Sequence, residues 1–130
     1  MVKVICQLRP TLLTSTLQYY YRLMDLTEAL KALADPNRLR ILQLLGDHTL
    51  CVCDLEEILK LNQSNLSRHL SKLRQAGLVT SQKKGLFIYY TRKPLPEPYG
   101  ATIERLYETM SKDPQWETDR RALSERLACC

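Results

Sequence analysis

Only four glycines interrupt these 130 residues, and each of them, Gly46, Gly77, Gly85 and Gly100, stands where an apolar pattern ends. Before Gly77 the spacing is helical. Leu26, Ala29, Leu30 and Leu33 follow i, i+3, i+4, i+7, and that helix should stop before Asp35-Pro36. Pro36 then opens a second helix through Leu39, Leu42 and Leu45 that ends at Gly46. A third runs from about Cys53 to Leu61 with Leu55, Ile58 and Leu59 inward. The polar Asn62-Gln63-Ser64 makes a tight break and offers an N-cap. A fourth helix buries Leu66, Leu70 and Leu73 and is closed by Gly77.

After Gly77 the period changes. Leu78 to Gln82 and Leu86 to Thr91 are β-branched and aromatic, with Lys83-Lys84-Gly85 as a hairpin turn. Pro94, Pro96 and Pro98 stiffen a connector. A fifth helix carries Ile103, Leu106, Tyr107 and Met110, and a last one, after Asp113-Pro114, sets Trp116, Leu123 and Leu127 on one side. The whole is mainly α with a small β-hairpin: two helices, a short polar turn and a basic hairpin, the order of a winged helix-turn-helix. One domain accounts for this length, and 45% apolar residues suits one modest core.

Charge is segregated. Residues 1–23 carry +3, 24–61 carry −3, 94–130 carry −2, and 62–93 hold seven cations and no acid. An anion-free stretch of this kind suits a phosphate backbone. On the fourth helix Ser64, Arg68, Ser71 and Gln75 lie opposite the leucines, flanked by Ser67 and Lys72. With Gln63, Asn65 and the bordering His69 they are candidate contacts to duplex DNA, and Lys83 and Lys84 add backbone contacts from the hairpin. His69 reads as a packing or phosphate-contacting residue rather than a metal ligand.

No apolar run is long enough to span a membrane, and residues 1–23 lack the apolar stretch and cleavage site of a secretory signal. A cytoplasmic location is therefore expected. The five cysteines lack a framework spacing and read as free thiols or metal ligands. Cys51-Val52-Cys53-Asp54 sits at the start of the third helix. Two positions on a regular helix point about 200° apart, so both thiolates can hold one ion only where the helix start is unwound. Capture of a ligand there would reshape the element that positions the reading helix.

The strings Leu50-Cys51-Val52-Cys53-Asp54-Leu55, Gln63 to Leu70, Leu73 to Val79, Ala34 to Leu42 and Ile88-Tyr89-Tyr90 together resemble the ArsR/SmtB family of metal-responsive repressors over about residues 24–112. The resemblance implies a homodimer, joined through helices around 25–34 and 99–111, that binds an operator and leaves it on binding metal or metalloid. It divides the chain into an N-terminal extension (1–23), the winged domain (24–112) and a C-terminal helical tail (113–130). The C-V-C-D-L string resembles the arsenic-responsive branch in particular, with arsenite or antimonite as inducer through cysteine thiolates. Cadmium or lead, or oxidation of the thiols, are the alternatives within the fold.

One departure stands out. The third cysteine of the familiar arsenic pattern is Glu56 here. A third thiolate would then come from Cys6, Cys129 or Cys130, beside Cys51 and Cys53; the cadmium/lead branch points to Cys6. No histidine lies between Tyr99 and Lys112, so the family's zinc-type site is not expected, and His48 reads as a surface loop residue. A thiol enzyme such as an arsenate reductase would need a glycine-rich anion loop, and no glycine lies between Gly46 and Gly77. A regulator is expected, not an enzyme, with neither membrane nor small-molecule substrate as partner.

Overall fold

The computed structural model describes residues 10–129, with side chains for 15–18 and 25–129. Its elements are α1 (Pro10–Leu33), α2 (Pro36–Leu45), β1 (Thr49–Cys51), α3 (Val52–Leu59), α4 (Gln63–Gln75), β2 (Val79–Lys84), β3 (Phe87–Arg92), α5 (Tyr99–Met110) and α6 (Pro114–Ala128). This is the winged helix-turn-helix expected. α1 continues without a break past position 24, where the extension was expected to meet the domain.

The caps explain the helix boundaries. Asp35 precedes α2 in extended conformation and accepts from the backbone N–H groups of Asn37 (2.9 Å) and Arg38 (3.1 Å), with Pro36 just inside. Asn62 does the same for α4, accepting from Asn65 N–H at 2.9 Å. The break between α3 and α4 therefore falls at Lys60–Asn62, two residues earlier than the polar triplet suggests, and Lys60 takes the left-handed conformation (φ 56°). Gln63 and Ser64 already belong to α4. Gly77, at φ 74°, reverses the chain after α4 and lets Leu78 N–H reach Leu73 O at 3.0 Å.

Leu66, Leu70 and Leu73 are buried, as their spacing requires, and pack with Ile41, Leu42, Leu45, Leu55 and Leu78 into one core. Each such leucine contributes about 2 kcal/mol by leaving water. Other stripe residues are not covered within the chain: Leu30, Leu106 and Leu127 are exposed. Ala29, Leu33, Ile103, Tyr107 and Leu123 carry the inward packing of α1, α5 and α6.

The sheet has three strands in the order β1-β3-β2, all antiparallel. β1 was not expected, because three residues are too few to show a period. It pairs Thr49 to Cys51 with Thr91 to Tyr89. The hairpin turn also differs from expectation. Lys83 and Lys84 are strand residues opposite Ile88 and Phe87, and the chain turns at Gly85-Leu86. Gly85 has φ 61°, the positive angle that a two-residue hairpin turn takes at its first position. No helix among the described residues is long and apolar enough to cross a membrane.

Candidate metal centre and nucleic-acid interface

β1 runs directly into α3, and Cys51 is the joint. It is the last residue of the strand and the N-cap of the helix, with extended backbone (φ −78°, ψ 160°). Its Sγ accepts from Asp54 N–H at 3.4 Å, while Cys51 N–H donates to Asp54 Oδ2 at 3.3 Å, a reciprocal capping box built on sulfur. Cys53 lies in the first turn. The 200° separation expected for two helical positions does not apply, because Cys51 is outside the helix. The two Cα atoms are 5.3 Å apart and the sulfurs are joined in a disulfide. The expectation of free thiols is corrected at this pair. The bridge spans two positions, so it closes no long loop and does little to restrict the unfolded chain.

One donor atom from each of Cys51, Cys53 and Asp54 lies within 4.8 Å of the others. Two sulfurs and a carboxylate suit a soft or borderline ion once the disulfide is reduced to thiolates. Asp54 is also held from the C-terminal helix: Arg126 Nε donates to Asp54 Oδ1 at 2.8 Å, and Arg126 Nη1 reaches Glu57 Oε2 at 2.8 Å. Asp54 and Arg126 were missed as members of this site. The Cys51-x-x-Asp54 spacing of a capping box was the available signal for the first; nothing local signals the second.

Among the described residues, the one other candidate thiol, Cys129, is not brought to this point. Cys129 is exposed and borders a groove with Glu57, Ile58 and Lys60, towards the C-terminal end of α3. Cys6 and Cys130 lie outside the described residues. His48 is exposed in the loop before β1. Glu56, one turn after Cys53, is half-buried and lines a groove of about 240 Å³ with Val52, Cys53, Gln63 and Leu86 to Ile88. This groove joins Cys53 to the first residue of α4 and to the tip of the hairpin.

On α4, Gln63, Ser64, Asn65, Ser67, Arg68, Lys72 and Gln75 are exposed and Ser71 is half-buried. Lys72 and Gln75 also border a groove against Glu28, Lys31 and Arg38. His69 turns inward. It is 17% exposed, and its Nδ1 lies 3.7 Å from Asp35 Oδ1, buried without a hydrogen-bond partner among the described residues. It joins α4 to the start of α2. Burial pushes the Asp35 carboxyl up, but the Arg38 N–H, the charges of Arg38 and His69, and the Asn37 N–H outweigh it and leave it below the usual value.

The hairpin keeps Lys83 and Lys84 exposed, Lys84 with its ammonium 5.7 Å from the Tyr89 ring centre. Arg92 belongs to the same basic stretch but is spent internally. Its guanidinium sits 4.5 Å from the Tyr107 ring centre and 3.0 Å from Glu104, tying β3 to α5. Burial, countered by Arg92 and reinforced by Glu104, pushes the Tyr107 phenol up to about 12.

Comparison with known proteins follows this architecture. The family described as "Bacterial regulatory protein, arsR family" matches residues 35–81. The arsenic resistance transcriptional regulator ArsR1 of Pseudomonas putida is 43% identical over 65 residues, 49% of this chain and 51% of that protein. The chain thus spans about half the length of that relative. An uncharacterized HTH-type transcriptional regulator of Methanocaldococcus jannaschii is 42% identical over 64 residues, 48% of this chain and 72% of that one. Among solved structures, reduced HlyU from Vibrio cholerae is similar with a TM-score of 0.60 and 36% identity, covering 71% of this chain and 95% of that one.

Proposed function

This chain belongs to the arsR family of bacterial regulatory proteins, and on that premise we propose that it is a dimeric DNA-binding transcriptional repressor, not an enzyme, induced through Cys51 and Cys53. The observation that carries the reading is the meeting of both sulfurs at the N-cap of α3, where Cys53 borders a groove shared with Gln63 of α4 and the hairpin tip. In this reading α4 enters the major groove, with Ser64, Arg68, Ser71 and Gln75 towards base edges and Lys83 and Lys84 towards phosphates. The uncovered Leu30 of α1 and Leu106 of α5 support pairing of two copies through those helices.

Trivalent arsenic or antimony is the inducer proposed first, held by the two thiolates once a dithiol reductant has supplied two electrons to their disulfide. Cys51 and Cys53 would then hold the ion in place of the disulfide, linking the end of β1 to the first turn of α3. The arsenic-resistance name of the Pseudomonas putida relative supports this choice. Cys6, or Cys129 or Cys130 of a second copy, remains the proposed source of a third thiolate, since this chain's own Cys129 borders the other end of α3. The carboxylate of Asp54 would suit cadmium or lead better than arsenic.

A second reading has its own observation. Cys51 and Cys53 are bonded to each other, so a dithiol–disulfide couple can act at the same cap without any ion.

Fluorescence anisotropy of reduced protein on DNA it has selected from a random pool separates these readings. Arsenite, antimonite, cadmium, lead, zinc and a disulfide oxidant are titrated separately. Release by arsenite or antimonite alone is expected, and Cys51→Ser or Cys53→Ser should keep DNA affinity while abolishing release. Release by oxidant alone makes the pair a redox switch. Mutants that still release normally remove these thiols from the sensor.

A further inference from the structure

The tip of the hairpin has a composition that its own chain does not explain. Leu86, Phe87 and Ile88 are consecutive and 93%, 52% and 43% exposed. Exposing three neighbouring large apolar side chains on a projecting ribbon is unfavourable unless something covers them. The pairing shows why nothing among the described residues does. β1 accompanies β3 only at Tyr89 to Thr91, whereas β2 and β3 continue to the pairs Lys83–Ile88 and Lys84–Phe87 before turning at Gly85-Leu86. The ribbon therefore runs two residue pairs and a turn beyond the sheet, about 7–10 Å at 3.4 Å per residue.

Charge and position identify what covers it. The strand entering the tip carries Lys83 and Lys84, each directly across from an apolar residue of the strand leaving it. The apolar residues border the same groove as Gln63, the first residue of α4, so the tip is continuous with the surface proposed to read DNA. A DNA minor groove is about 6 Å wide and about 7.5 Å deep, with anionic rims and a floor of base edges. Such a groove admits a single projecting side chain, and a tip with leucine at its end and cations on its shoulders complements it in chemistry.

We propose that Leu86, backed by Phe87, enters the minor groove beside the segment read by α4 and wedges into a base step, bending the duplex. The inference rests on the repressor reading and adds a deformation component to it. Specificity would then arise partly at a flexible pyrimidine–purine step under the wing, where unstacking costs least. Lys83 and Lys84 hold the rims and contribute the salt-dependent share of binding.

The test uses duplexes selected by the protein itself, carrying 2-aminopurine at successive steps under the wing and a fluorophore pair at the ends to report bending. Wild-type protein should brighten 2-aminopurine at one flanking step and bend the duplex by an angle in the range of about 20–90°. Leu86→Ser should remove both signals and weaken binding about tenfold with an unchanged salt slope, and Leu86→Phe should restore them. A folded Leu86→Ser protein that keeps the unstacking and the bend overturns the wedge and leaves the repressor reading intact. So does a variant whose only change is in sedimentation, which would make the tip a protein–protein contact. Absence of duplex binding by the wild type overturns both.

Discussion

α4 and α6 are both short helices with one buried stripe and a charged outer face, yet they use their charges in opposite ways. On α6, Asp119 is buried at 1% exposure and takes a two-pronged contact from Arg40 at 2.7 and 2.8 Å, supported by Gln115 at 3.1 Å. Arg126 bridges Asp54 and Glu57, and Arg120 pairs with Glu117 on the same helix. On α4 and the hairpin, Arg68, Lys72, Arg74 and Lys83 form no ion pair with any described residue. α6 spends its charge on fastening the fold, and α4 does the opposite. The latter helix holds its charge unpaired, which has no structural return and suits an external polyanion.

The sharpest way to break this contrast is to remove one fastener. Asp119→Ala strands a part-buried Arg40 and should cost about 3–5 kcal/mol of stability. Urea unfolding followed by the fluorescence of Trp116 reads it; a loss under 1 kcal/mol would make the pair ornamental. Arg68→Ala should do the reverse. Its stability should stay within about 0.5 kcal/mol of wild type, while DNA affinity falls by about 1–3 kcal/mol with relaxed sequence preference. Destabilisation by Arg68→Ala would mean that α4 also spends its charge internally.

Asp35 sharpens the comparison at the junction of the two regimes, because it caps α2 and faces His69 of α4. Its carboxyl sits below the ordinary value of 3.8, so the stability owed to its charge is complete above that value and disappears as pH falls through the lower, folded value. Asp35→Asn keeps the cap but not the charge. Wild type should be more stable than this variant at pH 6, with the difference closing below about pH 4 in thermal melts. A difference that does not shrink at all as pH falls below the ordinary value would assign the effect to packing. The smallest expected change is in Lys84→Ala, which should lower the salt slope of DNA binding by about one and leave the protein's stability intact.

The fold was legible where a cap and a stripe coincide. Asp35-Pro36 with Leu39, Leu42 and Leu45, and Asn62 with Leu66, Leu70 and Leu73, announce α2 and α4 because helix start and buried face are written within a dozen residues. β1 was illegible because its evidence is its partner, forty residues away in β3. The cysteine pair was placed at the helix start, and the condition set for its two sulfurs to meet is fulfilled there, because Cys51 stands in extended backbone before α3. The fasteners of α6 were invisible for the same reason as β1: Arg40–Asp119 and Asp54–Arg126 join residues 79 and 72 positions apart. His69 could be placed at the edge of the apolar stripe, but its approach to Asp35 depends on how α4 crosses α2.

Because Cys51 ends a strand and Cys53 opens a helix, the two sulfurs meet without help from any distant part of the chain. Such a unit is portable. Two substitutions at the same joint of a sibling scaffold would install the pair without disturbing the surface proposed to read DNA. Donors recruited afterwards from either end of the chain could then retune which ion is recognised. Responsiveness and address can in this way diverge independently, by short mutational paths, within one architecture.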